Sequence, residues 1–172
     1  MSCALTQGFN LDCRDSIGGL KEIYLIEHGN LGDITEASGV VTAISKLAGK
    51  RFYKYSLIRE TSSFDEVITV NDQHGTAYYT QTNTIVLNKR QASVRNEIML
   101  IAKNNVATVA VDNNGKAWLF GRENGLVPGG NTGSGTAWSD RNGATLTFTG
   151  NERELAPEVS AEVLSALGTP GA

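Results

Sequence analysis

Between Arg51 and Lys89 the chain runs for nearly forty residues, RFYKYSLIRETSSFDEVITVNDQHGTAYYTQTNTIVLNK, rich in β-branched and aromatic side chains and without any helical period. Such a stretch excludes a helical bundle. Phe64, Ile68 and Val70 alternate with Asp65, Val67 and Thr69, and Asn71-Asp72-Gln73-His74-Gly75 turns the chain. Tyr78, Tyr79, Thr80, Thr82, Thr84, Ile85, Val86 and Leu87 then form a long return strand. Several of these residues, YYTQTNT above all, are too polar on both faces to be buried against one core. Long half-polar strands suit edges or arms, and an open edge is a liability unless another chain covers it. The sequence therefore points to oligomerisation through β-augmentation.

The next stretch, Asn88 to Arg122, changes period. Val94, Ile98, Ile101 and Ala102 recur at spacings of three and four, which predicts a helix over 93–104 with Ser93 as N-cap and a stop at Asn104-Asn105. Val106, Ala107, Val109, Ala110 and Val111 follow as a short apolar strand. Asp112-Asn113-Asn114-Gly115 supplies turn chemistry, and residues 116–121 return as a second strand. A lone hairpin is marginal in water, so this helix-and-hairpin unit needs more strands around it.

Elsewhere the signals are shorter. Leu5, Phe9 and Leu11 alternate near the start, the pattern breaks at Gly18-Gly19, and Lys21 to His28 reads as a strand with Tyr24, Ile26 and His28 on one face. Residues 29–39 read as a Gly- and Asp-punctuated loop, and Val40 to Ile44 as another short strand. Glu123 to Gly135 reads as a glycine-rich loop, GLVPGGNTGSG at its heart. Trp138 precedes a turn at 139–143, and Ala144 to Thr149 alternates cleanly as a strand. A short C-terminal helix or tail is expected at 157–172, with Pro157 at the first helical position and Gly168 at the end.

The chain of 172 residues suits a single domain large enough to bury a core. A net charge of −3 argues against a protein that grips nucleic acid by its phosphates. With only 19% charged residues and 19 glycines, the composition is that of a turn-rich β protein. No apolar run long enough for a membrane span and no secretory signal is visible, so synthesis and initial residence in a cytoplasm are expected.

No catalytic constellation emerges. The glycines of 129–135 are followed by neither Lys-Ser nor a helix, so the phosphate-cradle mechanism is missing. His28, at a strand end, and His74, in a turn, both read as solvent-facing. Asp112 to Gly115 and Asp140 to Gly143 faintly resemble calcium loops but lack the alternating acids and distal glutamate, and turn chemistry explains both better. Glu60, Asp65 and Glu66 read as an acidic solvated surface beside the hairpin. Cys3 and Cys13 read as reduced thiols at strand positions, with a later disulfide as the other reading. No cofactor and no metal is expected.

The order of elements, together with SVRNEIMLIAKN, VATVAVDNNGKAWLFG, GTAWSDRNGATLTFTGNERELAP and the opening CALTQGFNLDCRDSIGGLKEIYL, resembles structural proteins of tailed bacteriophages of Bacteroides-type hosts, including crAss-like phages, with a tail-tube-like fold. The resemblance spans most of the chain. It implies a mainly β protein with one flanking helix, a tail-tube-like β-sandwich or partly rolled barrel with a long β-hairpin arm at about Arg59 to Gly75. It also implies a non-enzymatic virion protein, assembled in the host cytoplasm, that closes into a hexameric or dodecameric ring in the tail and passes DNA without specifically binding it. Lumen strands would come from 50–58 and 76–88. Neighbouring subunits, tail proteins or head-tail connector proteins would be met by Arg59, Glu60, Phe64, Asp65, His74, Tyr78, Tyr79, Val127, Pro128 and Trp138. The alternative reading is a carbohydrate- or cell-surface-binding β-sandwich, for which Trp118, Trp138, Tyr78 and Tyr79 would form a stacking platform.

Overall fold

The computed structural model describes residues 3–172. Its strands are β1 (Leu20–Glu27), β2 (Leu31–Ala37), β3 (Val40–Lys46), β4 (Tyr53–Ser56), β5 (Ser63–Asn71), β6 (Thr76–Asn88), β7 (Val106–Asp112), β8 (Ala117–Phe120), β9 (Val127–Gly133), β10 (Gly143–Glu152) and β11 (Glu158–Val159). Two helices, α1 (Ala92–Ile101) and α2 (Ala161–Ala166), complete the regular structure. The strands form two sheets, one ordered β2-β3-β11-β8-β7-β1-β4 and one ordered β5-β6-β10-β9, with no closed barrel.

The central strands of the larger sheet are apolar on both faces, and the reason is that both faces are covered. Leu20, Ile23, Leu25, Val106, Ala110 and Phe120 meet Ile85, Leu146 and Phe148 of the smaller sheet to make the sandwich core. On the opposite face Ile26, Val109, Val111 and Leu119 pack with Val41, Phe52, Val159 and Leu167. That second layer exists because the larger sheet curls around α2. Lys46 donates to the carbonyls of Ala166 (2.9 Å), Leu167 (3.3 Å) and Thr169 (2.7 Å), satisfying the carbonyls that a helix end leaves open.

Several expectations are corrected. Residues 29–39 are not a loop: a 3-10 turn at His28–Asn30 leads into β2, an edge strand whose alternation is only half-buried and so reads as polar. The glycine-rich stretch contains β9, whose partner β10 supplies the ladder that the sequence of VPGGNTG does not announce. A Cβ at Gly130 would lie 2.1 Å from the Thr145 carbonyl oxygen, so glycine is what lets β9 approach β10. The C-terminal helix begins at Ala161, not Pro157, because Glu158 and Val159 are captured as β11 between β8 and β3. Ser160 is its N-cap, accepting from the Val163 N–H.

The expected helix over 93–104 is α1, shorter and one residue earlier. Its cap is Gln91, which makes no side-chain capping bond, so Ser93 is not the cap. No residue of α1 is buried. Ile98 and Ile101 touch the sandwich core, and the helix leans across one end of it, between β4 and the start of β10.

Candidate assembly surface

The β5–β6 hairpin pairs continuously from Ser63↔Thr84 to Asn71↔Thr76. Strand β10 accompanies β6 only as far as Glu152↔Tyr79. Beyond that register the hairpin is a two-stranded ribbon leaving the body, and its tip is closed by the Asn71 side chain accepting from the His74 N–H at 3.1 Å. The ribbon exposes Val70 and Tyr78, at 67 and 40%, and the rows at its base, the last that β10 still borders, expose Val67 and Ile68 at 50 and 60%. Both faces of a ribbon are open, so Val70 has no core to join within one chain, and Val67 and Ile68 beside it stay half or more exposed.

The register also sorts the smaller sheet into two faces. Tyr79, Gln81, Asn83 and Ile85 of β6 point with Phe64 and Phe148 toward the core, and Gln81, Asn83, Ile85 and Phe148 are buried. On the other face lie Thr69, Thr80, Thr82 and Thr84, together with Thr145, Thr147 and Thr149 of β10. One row across this sheet reads Asp65, Thr82, Thr149, Val127. Threonine dominates the face, with Asp65 the charged side chain in that row, Val67 and Tyr78 toward the hairpin end, and Arg141 donating to the Thr145 hydroxyl (2.8 Å) toward the other. Sequence reading registered the polarity of YYTQTNT; only the pairing of β6 with β10 brings the threonines of both strands together.

Polar groups on the inner face hold the sheets in register. Gln81 donates to Glu66 (3.0 Å) and accepts from the Gly121 N–H (3.0 Å), and Glu66 also accepts from the Ala156 N–H (2.8 Å). Glu66 is therefore a structural tie, not part of a solvated acidic surface. The buried Glu152 carboxylate accepts from the N–H groups of Glu123 (3.1 Å) and Asn124 (3.0 Å) and closes the turn that leads into β9. Asp112 likewise accepts from the N–H groups of Asn114 and Lys116, both at 2.9 Å, in the turn before β8. His28 is half-buried with its Nε2 3.2 Å from the Arg122 carbonyl oxygen, which corrects its solvent-facing assignment.

The predicted contact residues divide between the two ends of the smaller sheet. His74 and Tyr78 lie at the hairpin end, and Val127, Pro128 and Asp65 lie just inside it. Arg59 and Glu60 sit in the β4–β5 connection, and Trp138 in the loop before β10, next to the Gly143↔Asn88 register. Phe64 departs from its predicted role: it is half-buried with its ring 5.0 Å from that of Phe120, inside the sandwich. Tyr79 turns toward the inner face.

The same geometry dismantles the aromatic platform. Tyr78 and Tyr79 project from opposite faces of β6, Trp118 is half-buried with its indole N–H donating to Asp112 at 3.3 Å, and the exposed Trp138 is a strand length away. That length is about 30 Å for ten residues. Among the described residues no cluster of three or more His, Cys, Asp and Glu is placed to hold a metal ion, and no helix is long and apolar enough to cross a membrane. No protein-family model matches this chain, nor does any characterised protein or solved structure.

Proposed function

We propose that this protein is a non-enzymatic structural subunit that assembles with copies of itself into a ring or tube, as part of the tail channel of a tailed phage. The observation that carries the assembly reading is the β5–β6 ribbon. It leaves the body with Val70 and Tyr78 exposed on it, Val67 and Ile68 exposed at its base, and open hydrogen-bonding edges, and a neighbouring copy is the partner that buries both at once. Burying an aliphatic side chain fully contributes about 1.5–3 kcal/mol, so these partly exposed residues supply a share of the contact, and the strand pairing and the rest of the interface must offset the cost of association.

The channel reading adds the threonine face. A wall that passes DNA must not hold it, and the row of hydroxyl groups beside Asp65 offers phosphates no cation, the guanidinium of Arg141 lying at the far end of the face on the Thr145 hydroxyl (2.8 Å). The test is light scattering with negative-stain electron microscopy on purified protein. Annular or tubular particles are expected from the wild type, and Ile68→Asp/Val70→Asp is expected to leave a folded protein that does not form them. A wild type that stays monomeric at high concentration and with virion partners overturns the assembly reading.

A further inference from the structure

The strands that the sequence predicts near Leu5 and Leu11 are absent from both sheets, yet their pattern is intact. Residues 3–18 form an arm without regular structure, bent at Arg14 where the Asp15 N–H donates to the Cys13 carbonyl (3.0 Å), with Leu5, Phe9 and Leu11 exposed at 99, 91 and 96%. All three occupy odd positions, as do Cys3 and Cys13, so in an extended conformation one face is apolar except at Gln7 and Asp15 and the other carries Thr6, Gly8, Asn10 and Asp12. The arm's root is held: the Ile17 N–H donates to the Asn114 Oδ1 at 2.9 Å, and the side chains of Asn113 and Asn114 donate to the carbonyls of Gly18 and Ile17. A strand-patterned segment is thus anchored at one end and presented at the other.

We infer that this arm is a donor strand for a second copy of the chain, adding to the open edge of β4 with its apolar face in the clefts beside α1; the inference rests on the assembly reading above. Of the four sheet edges, β5 belongs to the projecting ribbon, β9 contains Pro128, which has no N–H to donate, and β2 carries Asp33 and Glu36. Strand β4 pairs only with β1. Beside it are two clefts of about 370 and 360 Å³, which share Tyr55, Glu97 and Ile101; Leu25, Ile58, Ile98 and Leu100 are among their apolar lining, with Glu27, Lys54 and Asn104 at one and Ser56, Asn88 and Ser93 at the other. Adjacent clefts next to an open hydrogen-bond row are what a strand with alternate apolar side chains fits: the ladder gives affinity and the clefts give register. Charge agrees, since Lys50 and Arg51 lead into β4 while Asp12 and Asp15 follow Leu11.

Reach selects a neighbour. Sixteen extended residues span on the order of 50 Å, whereas a body of this size has a radius of gyration of about 15 Å. Donor and acceptor are different surfaces of one chain, so the contact is head-to-tail, the type that closes into rings or propagates as a filament. The unburied α1 and the exposed Leu5, Phe9 and Leu11 of the arm then become two halves of one contact.

The test uses the full chain carrying Leu100→Cys, with the native Cys3 and Cys13 as the only other thiols, and a short bis-maleimide linker. A ladder of covalent dimers, trimers and higher species is expected, reduced at least tenfold by Phe9→Asp/Leu11→Asp and absent without Leu100→Cys. The arm variant, which changes only exposed side chains, should keep the circular-dichroism spectrum and cooperative melting of a folded protein and lose the annular particles. Wild-type-like rings formed by Phe9→Asp/Leu11→Asp overturn the donor-strand inference and leave the assembly reading standing. Cross-links confined within single chains also overturn it. A wild type that never assembles removes both.

Discussion

Asn83 and Thr108 are fully buried, and the Asn83 amide donates to the Thr108 hydroxyl across the two sheets. The Asn83 carbonyl oxygen has no hydrogen-bond partner, so this pair sits in the core only half satisfied. Removing one partner strands a buried donor, which costs about 1–3 kcal/mol, whereas replacing both with apolar groups removes the need. Thr108→Val is expected to destabilise by that amount in urea unfolding, and Asn83→Leu/Thr108→Val to recover most of the loss. Additive losses would show that shape, not polarity, matters at this site. A second residue-scale prediction concerns Asp140. Its carboxylate accepts from the N–H groups of Ala137 (2.8 Å) and Thr136 (2.9 Å), and these bonds hold its pKa below the ordinary value. The bonds favour the charged form in the folded loop, so their contribution is present above the ordinary carboxylate pKa and is lost as pH falls through the lowered one. Emission from Trp138, next to Ala137 and two residues from both Thr136 and Asp140, is expected to shift across that acid window, and the shift should vanish in Asp140→Ala.

At the scale of elements, α1 is the weak member. Ten residues without a buried side chain or a capping bond sit near the limit at which a helix holds itself together. Gln91→Ser supplies the missing acceptor for the first-turn N–H groups and is expected to raise stability by about 0.5–2 kcal/mol, read as a higher denaturation midpoint. It should also slow amide exchange in α1 relative to β7, since local opening is what the helix does most readily. How legible each element was follows from where its information resides. Strands β1, β6, β7 and β10 carry their own hydrophobic alternation or apolar run, so their existence was readable and only their ends moved. Strands β2 and β9 are edges defined by partners: Gly129, Gly130 and Gly133 have no side-chain preference to display, and the ladder to β10 makes the strand. Pro157 was a reasonable helix start by its fixed φ, but the β11 pairing with Trp118 and Val40 outcompeted it.

For the whole molecule, the sandwich and its projecting hairpin were legible in the sequence, while the surface that the hairpin extends was not. A single strand such as YYTQTNT shows polarity at every position. It takes the antiparallel register with β10 to place Thr80, Thr82 and Thr84 beside Thr145, Thr147 and Thr149 and to send Gln81 and Asn83 inward. If copies close with that face inward, its chemistry decides whether DNA slides or sticks. Thr82→Lys/Thr147→Lys puts two cations per subunit on the wall, and each phosphate neutralised adds about one unit to the salt dependence of binding. Annular particles of this variant are expected to retain linear duplex DNA in a salt-dependent manner and to leave closed circular DNA unbound, because a circle has no end to thread. The wild type should retain neither. Equal retention of linear and circular DNA by the variant would place the threonine face on the outside of the assembly, and the channel reading would fall while the ring contact remained.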